Sequence, residues 1–256
     1  MRELLRGKRV LVAYSGGVDS STLALIARDV ADEVVLLTMK TVTFAESELE
    51  AAKRVASELG LRHDIEWYDW LAEGELAENP RDRCYQCKKK LAQRWLQEAG
   101  KRGLDLVIEG TTASDVGRYR SGEKALRETS VRSPLLEVGM TKGEVRRIAR
   151  ENGLSVSDRP SMACLATRFP YGTHITNEKL EMVAGVENFA RFHFGVKSVR
   201  ARYHGDLVRV EVGRDERSRL FDENKLDEFQ KYATNLGFTF VTIDVFGYRT
   251  GSMDES

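Results

Sequence analysis

Two near-continuous aliphatic runs close to the start, Arg9-Val-Leu-Val-Ala-Tyr14 and Glu33-Val-Val-Leu-Leu-Thr-Met39, constrain this chain more than any other feature. Neither alternates between apolar and polar positions as a strand with one wet face does. Strands of this kind are buried on both faces, which for consecutive strands means a parallel sheet covered by helices. The weaker runs at 62–68 and 105–110 continue the series, and amphipathic segments near 20–31, 45–60, 86–100 and 141–152 read as the crossover helices. The last of these opens on Thr141-Lys-Gly-Glu144, a capping-box spacing, and ends near Asn152-Gly153.

After a loop rich in Ser, Asp, Pro and Arg at 155–173 the grammar changes. A helix near 177–193 precedes two strands, VKSVRARYH and LVRVEVG, joined by Gly205-Asp206; a helix near 225–236 and the run FTFVTIDV follow. A tight Gly-Asp hairpin belongs to antiparallel pairing. The expected fold class is therefore α/β over residues 1–170, with a smaller C-terminal α+β domain over 171–256. The polar stretch from Gly247 to Ser256 should fray unless a ligand or neighbour orders it.

Composition narrows the function. With 41% hydrophobic residues and four prolines the chain is a folded globular protein, neither disordered nor fibrous. Forty basic residues against forty acidic ones remove the overall positive field of a general nucleic-acid binder. No stretch approaches the ~20 apolar residues of a membrane span, and the start carries only a short apolar run, so a cytoplasmic location is expected. Three cysteines, two of them in a C-x-x-C, make a poor disulfide framework and point to a reducing compartment.

Directly after the first strand stands Ser15-Gly16-Gly17-Val18-Asp19-Ser20-Ser21, leading into a helix. Two glycines let the backbone turn sharply and approach a ligand, while helix amides and dipole face outward, so the turn is a cradle for a phosphate chain. Neither G-x-x-x-x-G-K-[ST] nor G-x-G-x-x-G is present, which weakens terminal phosphoryl transfer and hydride transfer. An ordinary Ser/Gly turn is the alternative, but the position at a strand's carboxyl end is where such sheets bind ligands.

Cys84 and Cys87 open a lysine-rich helix, and Cys164 lies in Ser161-Met-Ala-Cys-Leu-Ala-Thr-Arg168. Three thiolates could hold three irons of a cubane and leave the fourth without a protein ligand, free to bind sulfide. Inert thiols, a zinc site and a Cys84/Cys87 redox pair are the alternatives; zinc would need a fourth ligand, and His63 and His174 stand in no recognisable spacing. The polar, basic surroundings of all three cysteines favour chemistry.

SGGVDSS after a first strand resembles the PP-loop of the ATP pyrophosphatases, which cleave ATP between the α- and β-phosphates to adenylylate a carbonyl or carboxylate oxygen. The resemblance implies that Ser15, Gly16, Gly17, Ser20 and Ser21 cradle pyrophosphate and that Asp19 helps to hold Mg²⁺, which bridges phosphate oxygens as charge develops. Five stretches extend it: SGGVDSS, EGTTASDVGRYRSG (109–122), MACLATRFPYG (162–172), VRARYHGDLVRVEV (199–212) and GYRTGSM (247–253). Together they resemble the LarE-type sulfur transferases of nickel-pincer nucleotide cofactor biosynthesis over nearly the full length.

This family's substrate is pyridinium-3,5-biscarboxylic acid mononucleotide, whose carboxylates are adenylylated and then converted to thiocarboxylates. Single-cysteine members sacrifice the residue in the position of Cys164, leaving dehydroalanine. With Cys84 and Cys87 this sequence resembles the three-cysteine branch, in which a [4Fe-4S] cluster carries the sulfide, and the resemblance implies that Cys164 is a ligand. The resemblance further implies ATP as co-substrate, a sulfide source or sulfur-donor protein as partner, and a homo-oligomer, with a hexamer as one form.

Arg200 and Arg202 alternate on one strand face, so both forks could grip one phosphate monoester; a solvated basic face is the alternative, and the resemblance implies the phosphate site. Glu187 matches a family carboxylate near the substrate, and would otherwise be an exposed helix charge. Asp115 and Arg120 follow the fourth strand's carboxyl end, where one could meet metal and the other phosphate. Arg168, four residues after Cys164, could neutralise cluster or substrate charge, or form a surface salt bridge. Three rivals share some of these features: a tRNA thiolase, which needs a wide positive surface; a nucleotide or iron–sulfur sensor without turnover; and an amidotransferase-type synthetase, which leaves the cysteines no task.

Overall fold

The computed structural model describes residues 1–115, 121–159, 163–249 and 252–253. The chain forms two compact units, one of Met1–Asp69 with Asp82–Met162 and the other of Trp70–Arg81 with Ala163–Ser256. In chain order the elements begin α1 (Arg2–Leu5), β1 (Arg9–Ala13), α2 (Val18–Arg28), β2 (Glu33–Lys40), α3 (Glu46–Leu59) and β3 (Arg62–Trp67). The short α4 (Gly74–Ala77) belongs to the second unit, and α5 (Arg83–Lys101), β4 (Leu106–Ile108), α6 (Ser121–Arg127), α7 (Pro134–Glu137) and α8 (Lys142–Glu151) return to the first.

The first unit's sheet is fully parallel, in the order β3-β2-β1-β4, with Val12 opposite both Leu36 and Ile108. The two aliphatic runs are its central strands. Alternate residues of β1 feed two separate cores: Val10 and Val12 pack with Leu23, Ala24, Val55 and Val145 on one face, Leu11 and Ala13 with Ala92, Trp95 and Leu126 on the other. Each such aliphatic side chain contributes about 1.5–3 kcal/mol by leaving water. β3 is an edge strand, only half buried, which accounts for its mixed sequence. Helix α8 carries the full capping box, with Thr141 Oγ1 accepting from the Glu144 amide and the Glu144 carboxylate accepting from the Thr141 amide.

The second unit contains α9 (Asn177–Phe194), β5 (Val199–His204), β6 (Leu207–Val212), α10 (Glu223–Asn235) and β7 (Phe240–Ile243). β5 and β6 form the antiparallel hairpin over Gly205-Asp206. The antiparallel pattern stops there: β7 pairs parallel to β6, because α10 carries the chain back before the last strand begins. Val183, Val186 and Ala190 of α9 are buried, as are Val199 and Ala201 of β5 and Phe229 of α10, whose ring stacks on Phe189 at 5.8 Å. Of the three tryptophans, Trp70 and Trp95 are buried, whereas Trp67 at the sheet edge is 57% exposed. Among the described residues no helix is long and apolar enough to cross a membrane.

Candidate functional site

The chain leaves the sheet after Tyr14, whose amide still bonds the Leu37 carbonyl at 2.9 Å. Gly16 then turns with φ +71°, and a Cβ there would lie 2.5 Å from Ala52 Cα and Cβ on α3, so both the torsion and the space demand glycine. Ser15 and Ser20 cross the turn: the Ser15 amide donates to Ser20 Oγ at 3.3 Å, and Ser20 Oγ donates to the Gly17 carbonyl at 3.2 Å. No side chain caps α2 at Gly17, which leaves its first amides for a ligand. Ser21 points the other way. Its fully buried hydroxyl donates to the Tyr14 hydroxyl, which burial pushes up to about 12.

Asp19 sits in the first turn of α2 with Oδ2 paired to Lys142 Nζ, while the buried Oδ1 has no hydrogen-bond partner among the described residues. Burial raises this carboxyl above its ordinary value, Lys142 opposes the rise and Asp115 adds to it. Asp115 is itself held by Thr112, whose amide and hydroxyl donate to Oδ2 at 3.0 and 2.9 Å. The Lys142 amide donates to Ser114 Oγ at 3.0 Å, so the segment after β4 and the start of α8 meet beside the loop. A desolvated carboxylate oxygen lacking a donor, with a second carboxylate near enough to disfavour its charge, fits a Mg²⁺ ligand. Arg120 lies outside the described residues.

Sequence reasoning missed Lys142. The P-loop lysine is absent from the loop itself, and the ammonium beside Asp19 comes from a helix 123 residues later. Its only local signal was its place inside a capping box. Glu109 was missed as well; buried at the end of β4, it accepts from Thr111 Oγ1 at 2.8 Å and Ser133 Oγ at 2.5 Å.

Helix α5 starts at Arg83, three residues before the expected position, so Cys84 and Cys87 lie near its N-terminus on successive turns of one face. Cys84 is exposed and Cys87 half-buried. Cys164 is exposed in the second unit, before a 3₁₀ turn at Leu165–Arg168, with its carbonyl accepting from Thr167 Oγ1 at 2.8 Å. None of the three is in a disulfide. Among the described residues no three His, Cys, Asp or Glu side chains form a metal-holding group. Cys84 and Cys87, three residues apart on one helix, are thiols of the kind an iron–sulfur cluster takes as ligands, and Cys164 is a free thiol of the same chemistry. His63 and His174 are engaged elsewhere, with Thr38 Oγ1 and Glu78 Oε1, each at 2.8 Å.

In the second unit Arg168, Glu187, Arg200 and Arg202 are all buried, which the readings of an exposed helix charge, a surface salt bridge and a solvated basic face did not anticipate. Arg168 binds Glu187 through two bonds, Nε to Oε1 at 2.6 Å and Nη2 to Oε2 at 3.1 Å, and its Nη1 holds the Ala163 carbonyl at 3.0 Å. Glu187 also accepts from Arg191 at 2.9 Å and from the Ala201 amide at 3.1 Å. Burial pushes the Glu187 carboxyl up, but Arg168, Arg191 and Arg200 overcome it and leave it below the usual range.

Arg202 donates to Glu211 Oε2 from Nε at 3.0 Å and Nη2 at 2.8 Å, and to the Thr167 carbonyl at 2.9 Å. Burial, then repulsion from Arg168, depresses the Arg200 guanidinium, whose carbon lies 4.7 Å from the Tyr248 ring centroid. Arg209 is only 30% exposed and pairs with Glu211 and Asp244. Five arginines therefore face three carboxylates in this part of the second unit.

The family model of the queuosine biosynthesis protein QueC matches residues 9–79, which span the loop and the first three strands. An uncharacterized protein of Synechocystis sp. is 36% identical over 247 residues, 96% of this chain and 92% of its own. The tRNA-specific 2-thiouridylase MnmA of Nostoc sp. is 30% identical over 187 residues, but these cover only 60% of this chain and 53% of that protein. The pyridinium-3,5-bisthiocarboxylic acid mononucleotide synthase of Lactiplantibacillus plantarum is 32% identical over 251 residues, 97% of this chain and 90% of its own. With that near-complete correspondence joined to a parallel sheet bearing the SGGVDSS loop, the chain belongs to the LarE-type ATP-dependent sulfur transferases of the PP-loop ATP pyrophosphatase superfamily.

Proposed function

We propose that this enzyme converts the carboxylates of pyridinium-3,5-biscarboxylic acid mononucleotide to thiocarboxylates, with sulfide held on a [4Fe-4S] cluster. The observation that carries the activation step is the Asp19–Lys142 pair at the loop, with Asp19 Oδ1 lacking a donor. A substrate carboxylate oxygen attacks the ATP α-phosphorus as the bond to the bridging oxygen breaks, and pyrophosphate leaves. The α2 amides, Ser15, Gly16, Gly17 and Ser20 receive its charge; Ser21 supports the turn from behind through Tyr14. Lys142 neutralises a phosphate oxygen, Asp19 holds Mg²⁺, and Asp115 and Arg120 complete the metal and phosphate shell.

Arg200 and Arg202 bind the substrate phosphate, while Arg168 and Glu187 fix the backbone around Cys164. Cys84, Cys87 and Cys164 would hold the cluster, which would supply sulfur at the sulfide level for transfer. Attack of sulfur on the acyl adenylate then forms the C–S bond and expels AMP. The product dissociates as the thiocarboxylate, and a sulfide source or donor protein restores the sulfur. The working assembly is a homo-oligomer.

Protein purified without oxygen tests this reading. Iron and sulfide analysis should give a cluster that Cys84→Ser and Cys87→Ser each abolish, and incubation with ATP, Mg²⁺ and the mononucleotide should give pyrophosphate, AMP and the sulfur-substituted product. The exposure of Cys164 favours a second reading, the single-turnover donor. Mass loss of one sulfur and two hydrogens at Cys164 after turnover would establish that reading and overturn the cluster as donor.

A further inference from the structure

We infer that Tyr248 and Ser252, in the C-terminal stretch, are positioning residues that hold Arg200 and Arg202 in the orientation that receives the substrate phosphate. The inference rests on the reading of those two arginines as the phosphate site. Its starting point is Glu211, which is fully buried on β6. One of its oxygens takes two donors from Arg202. The other takes Ser252 Oγ at 2.7 Å and Arg209 Nη2 at 3.2 Å. The Arg202 fork is therefore aimed by a carboxylate whose own position is set from the opposite side by a C-terminal hydroxyl.

Arg200 is held by the same stretch. Tyr248 places its ring 4.7 Å from the guanidinium carbon and anchors itself through its amide to the Val212 carbonyl at 2.8 Å. The chain reaches that position through Gly247 at φ +74°, where a Cβ would come within 2.8 Å of the Val212 carbonyl oxygen. Ser252 and Met253 are only 8% and 6% exposed, and Arg209 Nη2 lies 3.7 Å from Met253 Sδ. The polar tail that sequence alone would leave to fray is thus tied, at Tyr248 and Ser252, to the two arginines of one strand face. Bidentate capture of a phosphate depends on the plane of each guanidinium fork, so slack in either anchor weakens binding without touching the ATP loop.

Isothermal titration of the full-length protein with nicotinic acid mononucleotide, with the matching nucleoside and with ATP–Mg²⁺ tests the inference. Ser252→Ala and Tyr248→Ala should each raise the mononucleotide Kd about 5- to 10-fold, roughly one decade of affinity. Nucleoside and ATP binding should stay at the parental value, and Tyr248→Phe should restore mononucleotide binding. Combining Ser252→Ala with Glu211→Gln should add little to the loss from either alone, because both act through one carboxylate. If Glu211→Gln does not fold, the two tail variants still decide. Parental mononucleotide affinity in both tail variants, with strong loss in Arg202→Ala, overturns the inference and leaves the phosphate site standing. Parental affinity in Arg200→Ala and Arg202→Ala overturns both.

Discussion

Lys142 and Asp19 form an ion pair across 123 residues of sequence, joining the first turns of α8 and α2 beside the glycine turn. The ammonium stands where phosphate charge is expected, so Lys142→Met should cut ATP-dependent pyrophosphate release by about 10²-fold, the usual loss when one preorganised donor is removed. Iron content should be unchanged. Parental pyrophosphate kinetics would remove Lys142 from the activation step.

Asp19 sets function against stability. Its carboxyl is raised by burial, with Asp115 adding to the effect, despite the Lys142 partner. A carboxyl with a raised folded-state value contributes stability that is present below its ordinary value and is lost as pH rises through the raised one, so burying it in the ionised form costs stability. Asp19→Asn should abolish pyrophosphate release while leaving Tm equal to the parent or higher by about 1–3 °C in calorimetry. A clear fall in Tm would show that the pair with Lys142 outweighs desolvation.

Gly16→Ala tests the loop by shape alone. The new methyl would meet Ala52 backbone and side chain at 2.5 Å, and the residue would need a left-handed torsion, so the loop or α3 must shift. ATP affinity should fall at least about 10-fold, and folding stability by about 1–3 kcal/mol. Gly172→Ala, where φ is +78° and the added methyl meets nothing, is the control for torsion without the clash.

Arg168 and Glu187 form a buried pair with side-chain exposures of 0% and 2%. Removing one partner strands the other charge, so Arg168→Met should cost about 3–5 kcal/mol in urea unfolding. Because the Glu187 carboxyl lies below its ordinary value of 4.5, its contribution is complete above that pH and is lost as pH falls through the lowered value. Stability of the parent should drop more steeply below pH 4.5 than that of Glu187→Gln; parallel curves would contradict the depressed carboxyl.

Much of the architecture was legible because its signals are local. The runs of β1 and β2, the Gly-Asp hairpin and the Thr141–Glu144 box each encode their structure within a few neighbours, and SGGVDSS marks the sharp turn from β1 into α2 without reference to the rest of the fold.

Partnership over long separations could not be read this way. Nothing near Lys142 announces Asp19, nothing near Glu187 announces that a helix charge is buried against three arginines, and Glu211 on its strand reads as one more acidic residue. Residues 70–81 join the second unit, and β7 runs parallel to β6, through topology alone. Periodicity and turn chemistry act over one helical repeat or one hairpin. Which charges leave water together, and which carboxylate ends up aiming which arginine, is decided only when distant segments pack, because burial and pairing energies exist only in the assembled core.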